Sequence, residues 1–232
     1  MAVWAIIVLA VTVPITALPV WIMGIFPEPK RTHYSFFFYR IWMTSFFVLT
    51  GVRRKFVGRK NFKKGETYVV VCNHRSLMDP PLSSPAIPGT NRTIAKREMM
   101  KIPIFSIVYK RGSVLVDRKS DESRRKSFLE MKAVLNMGMH MCIYPEGTRN
   151  KTKQPLQRFH DGAFKLAVES GKDIIPSLIF DTDKVLPRKT FFFWPHSVSI
   201  HFLPAVSSQN KTVKELKEEV FEIMKDYYLG HQ

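Results

Sequence analysis

No charged side chain interrupts the chain from Met1 to Phe26. Coiled as a helix, those 26 residues would extend about 39 Å, longer than the roughly 30 Å hydrocarbon core of a bilayer. A secretory signal peptide would open with a positive region and end at a small-residue cleavage site. This chain starts Met-Ala-Val-Trp and offers no such site, so the segment reads as a membrane anchor. Pro14 and Pro19 are expected to kink it. A second apolar stretch, Tyr34 to Val52, is rich in aromatic residues and is interrupted by Arg40. The aromatics favour an interfacial position. Two helices joined by the Pro27-Glu28-Pro29 turn would cross the membrane twice or dip into one leaflet and return. The sequence leaves both open.

The remaining charge is lopsided. The formal net charge is +17, and Arg53, Arg54, Lys55, Arg59, Lys60, Lys63 and Lys64 crowd residues 51–65 without one acid. From Lys211 to Leu229, by contrast, four lysines face five acids. A basic cluster beside an apolar segment is what an anionic cytoplasmic leaflet attracts, so the expectation is a membrane protein whose remaining domain faces the cytoplasm. Each lysine taken singly also reads as a solvated charge. A nucleic acid would answer the same charge, but the uncharged start and the lack of recognition motifs argue against that partner. Cys72 and Cys142 lie in apolar runs without metal-ligand spacing, and read as buried thiols.

From residue 66 onward, short apolar runs alternate with helical patterns. Strands are expected at 67–72, 93–95, 113–116, 139–144, 174–180 and 197–203. Helices are expected at 123–137, stopped by Gly138, and at 159–170, stopped by Gly171. A last helix opens with the capping box Thr212-Val-Lys-Glu215 and presents Val213, Leu216, Val220, Ile223 and Tyr227 on one face. The pattern predicts an α/β fold: a mixed, largely parallel sheet covered by helices on both faces, preceded by a two-helix apolar anchor. The anchor is expected over 1–52 and the α/β domain over 53–232, with Gly51 to Gly65 as the linker.

Ligand sites in such sheets lie where strands end. After the first buried strand the loop reads Asn73-His74-Arg75-Ser76-Leu77-Met78-Asp79-Pro80. Histidine is suited to take a proton near neutral pH, and a carboxylate on its other ring nitrogen fixes the tautomer. His74 and Asp79 are five residues apart, about 140° apart on an ideal helix, so they meet only where a turn enters a helix. Asp79 also reads as a simple N-cap before Pro80. A second loop, Tyr144-Pro145-Glu146-Gly147-Thr148-Arg149, combines a glycine, a hydroxyl and a guanidinium suited to gripping phosphate, and reads equally as an ordinary turn. A third strand, Gly112 to Val116, ends in Asp117-Arg118, which is equally a surface ion pair. No nucleophile elbow, metal-ligand set or nucleotide-binding glycine loop is present.

Together these blocks resemble the lysophosphatidate acyltransferase family (acylglycerol-phosphate acyltransferases). The His-x4-Asp element is met by His74 and Asp79, the strand ending in Asp-Arg by Gly112 to Arg118, Glu-Gly-Thr-Arg by Glu146 to Arg149, and the proline after an apolar strand by Ile175-Pro176. Lys96, Glu98 and Ile102 to Phe105 resemble the segment between the first two blocks. The resemblance implies a phospholipid-biosynthetic enzyme that moves a fatty acyl group from acyl-CoA or acyl-carrier protein, as co-substrate and without a cofactor or metal, to the hydroxyl of lysophosphatidate. It implies His74 as general base, Asp79 as its orienting partner, and Arg118, Glu146, Gly147, Thr148, Arg149 and Lys96 on the substrate side. Ser177 and the run Phe159-His160-Asp161-Gly162 depart from the family pattern. They motivate alternative acceptors, a lyso-aminolipid or glycerol 3-phosphate. A non-catalytic lipid-surface protein of the same fold is the rival from another class.

Overall fold

Alternation of side chains decides how this sheet is covered. In β2 (Val69–Cys72), Val69 and Val71 point to one face, while Val70 and Cys72 point to the other, and all four are buried. A strand apolar on both faces needs helices on both. The computed structural model describes residues 1–97, 100, 105–117, 120–187 and 192–231, apart from the side chains of Lys96 and Phe105.

The chain begins with α1 (Ala2–Ile22) and α2 (Lys30–Leu49), followed by β1 (Arg53–Val57), β2 and α3 (Asp79–Ala86). Next come β3 (Asn91–Lys96), α4 (Phe105–Gly112), β4 (Ser113–Val116), α5 (Asp121–Asn136) and β5 (His140–Ile143). Then α6 (Gly162–Ser170), β6 (Ile174–Phe180), the single turn α7 (Thr182–Val185), β7 (Ser197–Phe202) and α8 (Val213–Leu229) complete it. The seven strands lie in the order β1-β7-β6-β2-β5-β3-β4, and every neighbouring pair is parallel except β6–β7. This is the expected mixed sheet. One core packs α5, α6 and α8 on the Val69/Val71 face, and the other packs α1, α2 and α3 on the Val70/Cys72 face.

The anchor is a pair of antiparallel helices: Trp4 Nε1 donates to the Leu49 carbonyl, and Trp42 Nε1 to Thr12 Oγ1. α1 runs through both Pro14 and Pro19 as one helix. Its Ala5, Val8 and Val13 belong to the same core as Val70 and Cys72, while Val3, Ile7, Val11, Ile15, Leu18 and Trp21 on its other side are exposed. Among the described helices only α1 is long and apolar enough to cross a membrane. α2 starts four residues earlier than the apolar stretch and takes in Lys30 and Arg31. Its Arg40 turns back to the carbonyls of Ile87 and Gly89. The two-helix anchor is therefore one apolar helix and one that is fastened to the α/β domain.

Two local expectations are corrected. Residues 53–57 are no linker but an edge strand, paired residue for residue with 197–201 of β7. The dense cations masked it, because a strand with one solvated edge tolerates them. On α8 the buried stripe is Leu216, Val220, Met224 and Tyr228. Both 223/224 and 227/228 are apolar pairs, so the sequence could not phase the helix there. The capping box at Thr212 and Glu215 forms as expected.

Candidate active site

β2 ends in the middle of the sheet, and its last residues set the site. Asn73 continues the ladder with its side chain: Nδ2 donates to the Ile179 carbonyl at 3.0 Å, and Oδ1 accepts from the Ile179 N–H at 2.7 Å. That clamp fixes where His74 emerges. Residues 74–78 form the turn that the five-residue spacing requires, and α3 begins at Asp79. His74 Nδ1 meets Asp79 Oδ2 at 2.7 Å.

Asp79 is fully buried, and donors converge on it. Oδ2 also accepts the backbone N–H groups of Arg75 and Ser76, at 2.7 and 2.8 Å, and Oδ1 accepts the hydroxyl of Thr182 from α7. The side chain thus closes the turn before its own helix rather than capping that helix, whose N-cap is Met78. Two amide donors already on Oδ2 make it an acceptor toward the imidazole. Nδ1 therefore carries the hydrogen, and Nε2 is left free to accept one.

The second loop is tied to the first. Glu146 is buried, with Oε1 accepting the N–H of His74 at 2.8 Å and Oε2 that of Gln157 at 3.0 Å. The N–H of Asn150 donates to the His74 carbonyl. Burial raises the Glu146 carboxyl above its ordinary value, and the two amide donors pull it back down. Gly147 takes φ +68°, a left-handed turn that lets the chain fold back at this point. The Tyr144 ring lies 4.5 Å from the imidazole, and its hydroxyl contacts Ser83 Oγ at 2.7 Å. Burial pushes the Tyr144 hydroxyl well up, which keeps it protonated.

A cavity of 490 Å³ opens on this arrangement. His74, Tyr144, Gly147, Thr148, Arg149 and Lys151 line it from the two loops, Phe36, Tyr39, Trp42 and Met43 of α2 with Val20 of α1 from the anchor, and Thr93, Arg111 and Ser113 from β3, α4 and β4. Basic and hydroxyl side chains thus share the lining with an apolar wall that the anchor contributes. Glu146 does not line the cavity; it holds the two loops together. Arg118 and Glu98 lie outside the described residues, as does the side chain of Lys96. Asp117 is described; it does not line this cavity, and its N–H donates to Ser123 Oγ at 3.0 Å. Sequence reasoning missed Tyr144 as a wall of the site, and missed Asn73, Ser83 and Thr182. Thr182 comes from a distant turn, so no local spacing signals it. Among the described residues no three His, Cys, Asp or Glu side chains gather as a metal site, and Cys72 and Cys142 are buried free thiols with sulfurs 3.9 Å apart.

Residues 53–179 match the family model described as Acyltransferase. A 1-acyl-sn-glycerol-3-phosphate acyltransferase of Borreliella burgdorferi is 27% identical over 179 residues, covering 77% of this chain and 71% of that one. The alpha form of the human 1-acyl-sn-glycerol-3-phosphate acyltransferase is 29% identical over 166 residues, 71% of this chain but only 58% of the human protein's length. The crystal structure of the 1-acyl-sn-glycerophosphate acyltransferase PlsC from Thermotoga maritima superposes with a TM-score of 0.84 at 22% identity, over 100% of this chain and 95% of that one. At that identity the likeness speaks for the fold, the N-terminal helices included.

Proposed function

The chain belongs to the acyltransferase family, and from that premise we propose that it transfers a fatty acyl group from an acyl thioester to the free hydroxyl of lysophosphatidate, forming phosphatidate at a membrane surface. The observation that supports this most is the buried Asp79 on Nδ1 of His74, with Nε2 left to accept a proton beside a cavity that has Arg149 and Lys151 in its lining and an apolar wall from α2.

Nε2 of His74 takes the proton of the acceptor hydroxyl as that oxygen attacks the thioester carbonyl. The tetrahedral intermediate then expels the thiolate, which receives the proton back from the imidazolium. One ester bond forms, one thioester bond breaks, and no acyl-enzyme is needed. Asp79 holds the tautomer and stabilises the imidazolium. Arg149 and Lys151, on the loop beside His74, face the acceptor phosphate. The apolar stretch against α2 suits the acyl chain. The exposed apolar side of α1 suits lipid, and the cations of 53–64 suit an anionic leaflet, placing the acceptor where it already resides.

Transfer of labelled acyl groups to lysophosphatidate by the purified full chain tests the reading. The expected result is phosphatidate formation, slowed by about 10³-fold in His74→Ala. No product with either acyl-CoA or acyl-carrier protein would overturn it.

A further inference from the structure

A second cavity, of 310 Å³, adjoins the first: Arg111 and Ser113 line both. Its walls come from the α1–α2 turn, β3, α4, β4 and α5, and they carry the cations Arg31, Arg92, Arg97, Lys110, Arg111 and Lys126. The acids in its wall, Glu28 and Glu130, both pair with one cation, Arg92, at 2.6 and 3.6 Å. Among the described residues none of the other five has an ion-pair partner. Arg92 is itself buried, and its Nε finds no hydrogen-bond acceptor. The Arg111 guanidinium sits so tightly under the turn that a Cβ on Gly24 would lie 2.6 Å from it. Burial, and then the charge of Arg31, pushes Arg111 below its ordinary value. A concave site with this surplus of positive charge, and a buried donor left over, is built for a polyanion.

Which polyanion follows from connectivity. In lysophosphatidate the reacting hydroxyl and the phosphate ester are on neighbouring carbons, so the acceptor phosphate must lie beside His74, near Arg149 and Lys151. Phosphates in the second cavity have to belong to a molecule whose reacting carbonyl is joined to them by a long arm. We propose that this second cavity binds the adenosine 3′,5′-bisphosphate end of an acyl-coenzyme A donor, whose pantetheine arm passes Arg111 and Ser113 to bring the thioester to His74. The assignment rests on the acyl-transfer reading above and narrows its donor. A carrier protein would present a convex acidic surface, which a recess does not fit as well.

The test is direct binding of adenosine 3′,5′-bisphosphate to the detergent-solubilised full chain by titration calorimetry, beside steady-state kinetics. Lys110 and Lys126 are exposed, so the Lys110→Ala/Lys126→Ala double variant should fold. Wild type is expected to bind the bisphosphate. In the variant, binding weakens by about tenfold or more and the KM for acyl-CoA rises in step, while the KM for lysophosphatidate holds. Binding needs no turnover, so a protein inert toward lysophosphatidate that still binds the bisphosphate would sink the reaction and support this site. The proposal is overturned if wild type does not bind the bisphosphate. It is equally overturned if the variant raises only the KM for lysophosphatidate, or slows only acyl-carrier-protein-dependent transfer.

Discussion

The N–H of His74 donates to Oε1 of Glu146 at 2.8 Å, so the residue that carries the imidazole is held by the loop that carries Arg149. Glu146 is a positioning residue: its second oxygen is taken by Gln157, and neither faces the cavity. Glu146→Gln leaves an amide group where the second backbone N–H needs an acceptor, and each stranded buried donor costs about 1–3 kcal/mol. The expected outcome is a melting temperature several degrees lower and kcat down by about 10- to 100-fold. Thermal denaturation and steady-state rates check it, and full activity in this variant would show that the loops do not need this fastening.

His74 and Asp79 should fail differently. His74→Ala removes the base, and kcat should fall by about 10³-fold, within the usual range for general-base catalysis, with little change in stability because the imidazole is partly exposed. Asp79→Asn puts an amide group where three N–H donors and one hydroxyl converge, so it should lose activity and also fold less stably. Rates and melting curves on both variants separate the roles. Equal activity in His74→Ala and wild type would remove this dyad from the reaction.

This dyad was legible in the sequence, and its supports were not. His74 and Asp79 sit in one loop, where spacing carries information. Thr182, on Oδ1 of the same carboxylate, is 103 residues away and depends on β6 lying beside β2. The apolar strands 113–116 and 174–180 were read to the residue, because burial on both faces leaves continuous apolar runs. β1 was not read, since its Arg53, Arg54 and Lys55 give no apolar signal at all.

Histidine 140 predicts how stability responds to acid. His140 opens β5 beside Asn91 of β3 and is buried, and its Nδ1 accepts the N–H of Tyr68, a bond that only an unprotonated Nδ1 can make. Burial lowers its pKa to about 4 from an ordinary 6.5. The unfolded chain therefore binds the proton more readily. This contribution is fully present above pH 6.5, declines as pH falls, and is lost by about pH 4. The shift corresponds to about 3 kcal/mol. Melting temperature measured between those limits should fall more steeply for wild type than for His140→Gln, and parallel curves would contradict the assignment.

The stretch 51–65 supplies the sharpest test of the corrected fold, because two of its glycines share a left-handed backbone in different surroundings. Gly58 ends β1 at φ +75°, and a Cβ there would lie 1.9 Å from the carbonyl oxygen of Phe202 in β7. Gly65 has φ +85°, yet a Cβ on it would meet nothing within 4 Å. Gly65→Ala should therefore cost only the left-handed strain, about 1–2 kcal/mol. Gly58→Ala adds a clash with backbone that cannot yield without parting β1 from β7, and should exceed about 3 kcal/mol. Denaturant unfolding of the two variants reads the difference directly. Were 51–65 a free linker, the two substitutions would be indistinguishable; a strand at 53–57 requires that Gly58→Ala be the worse.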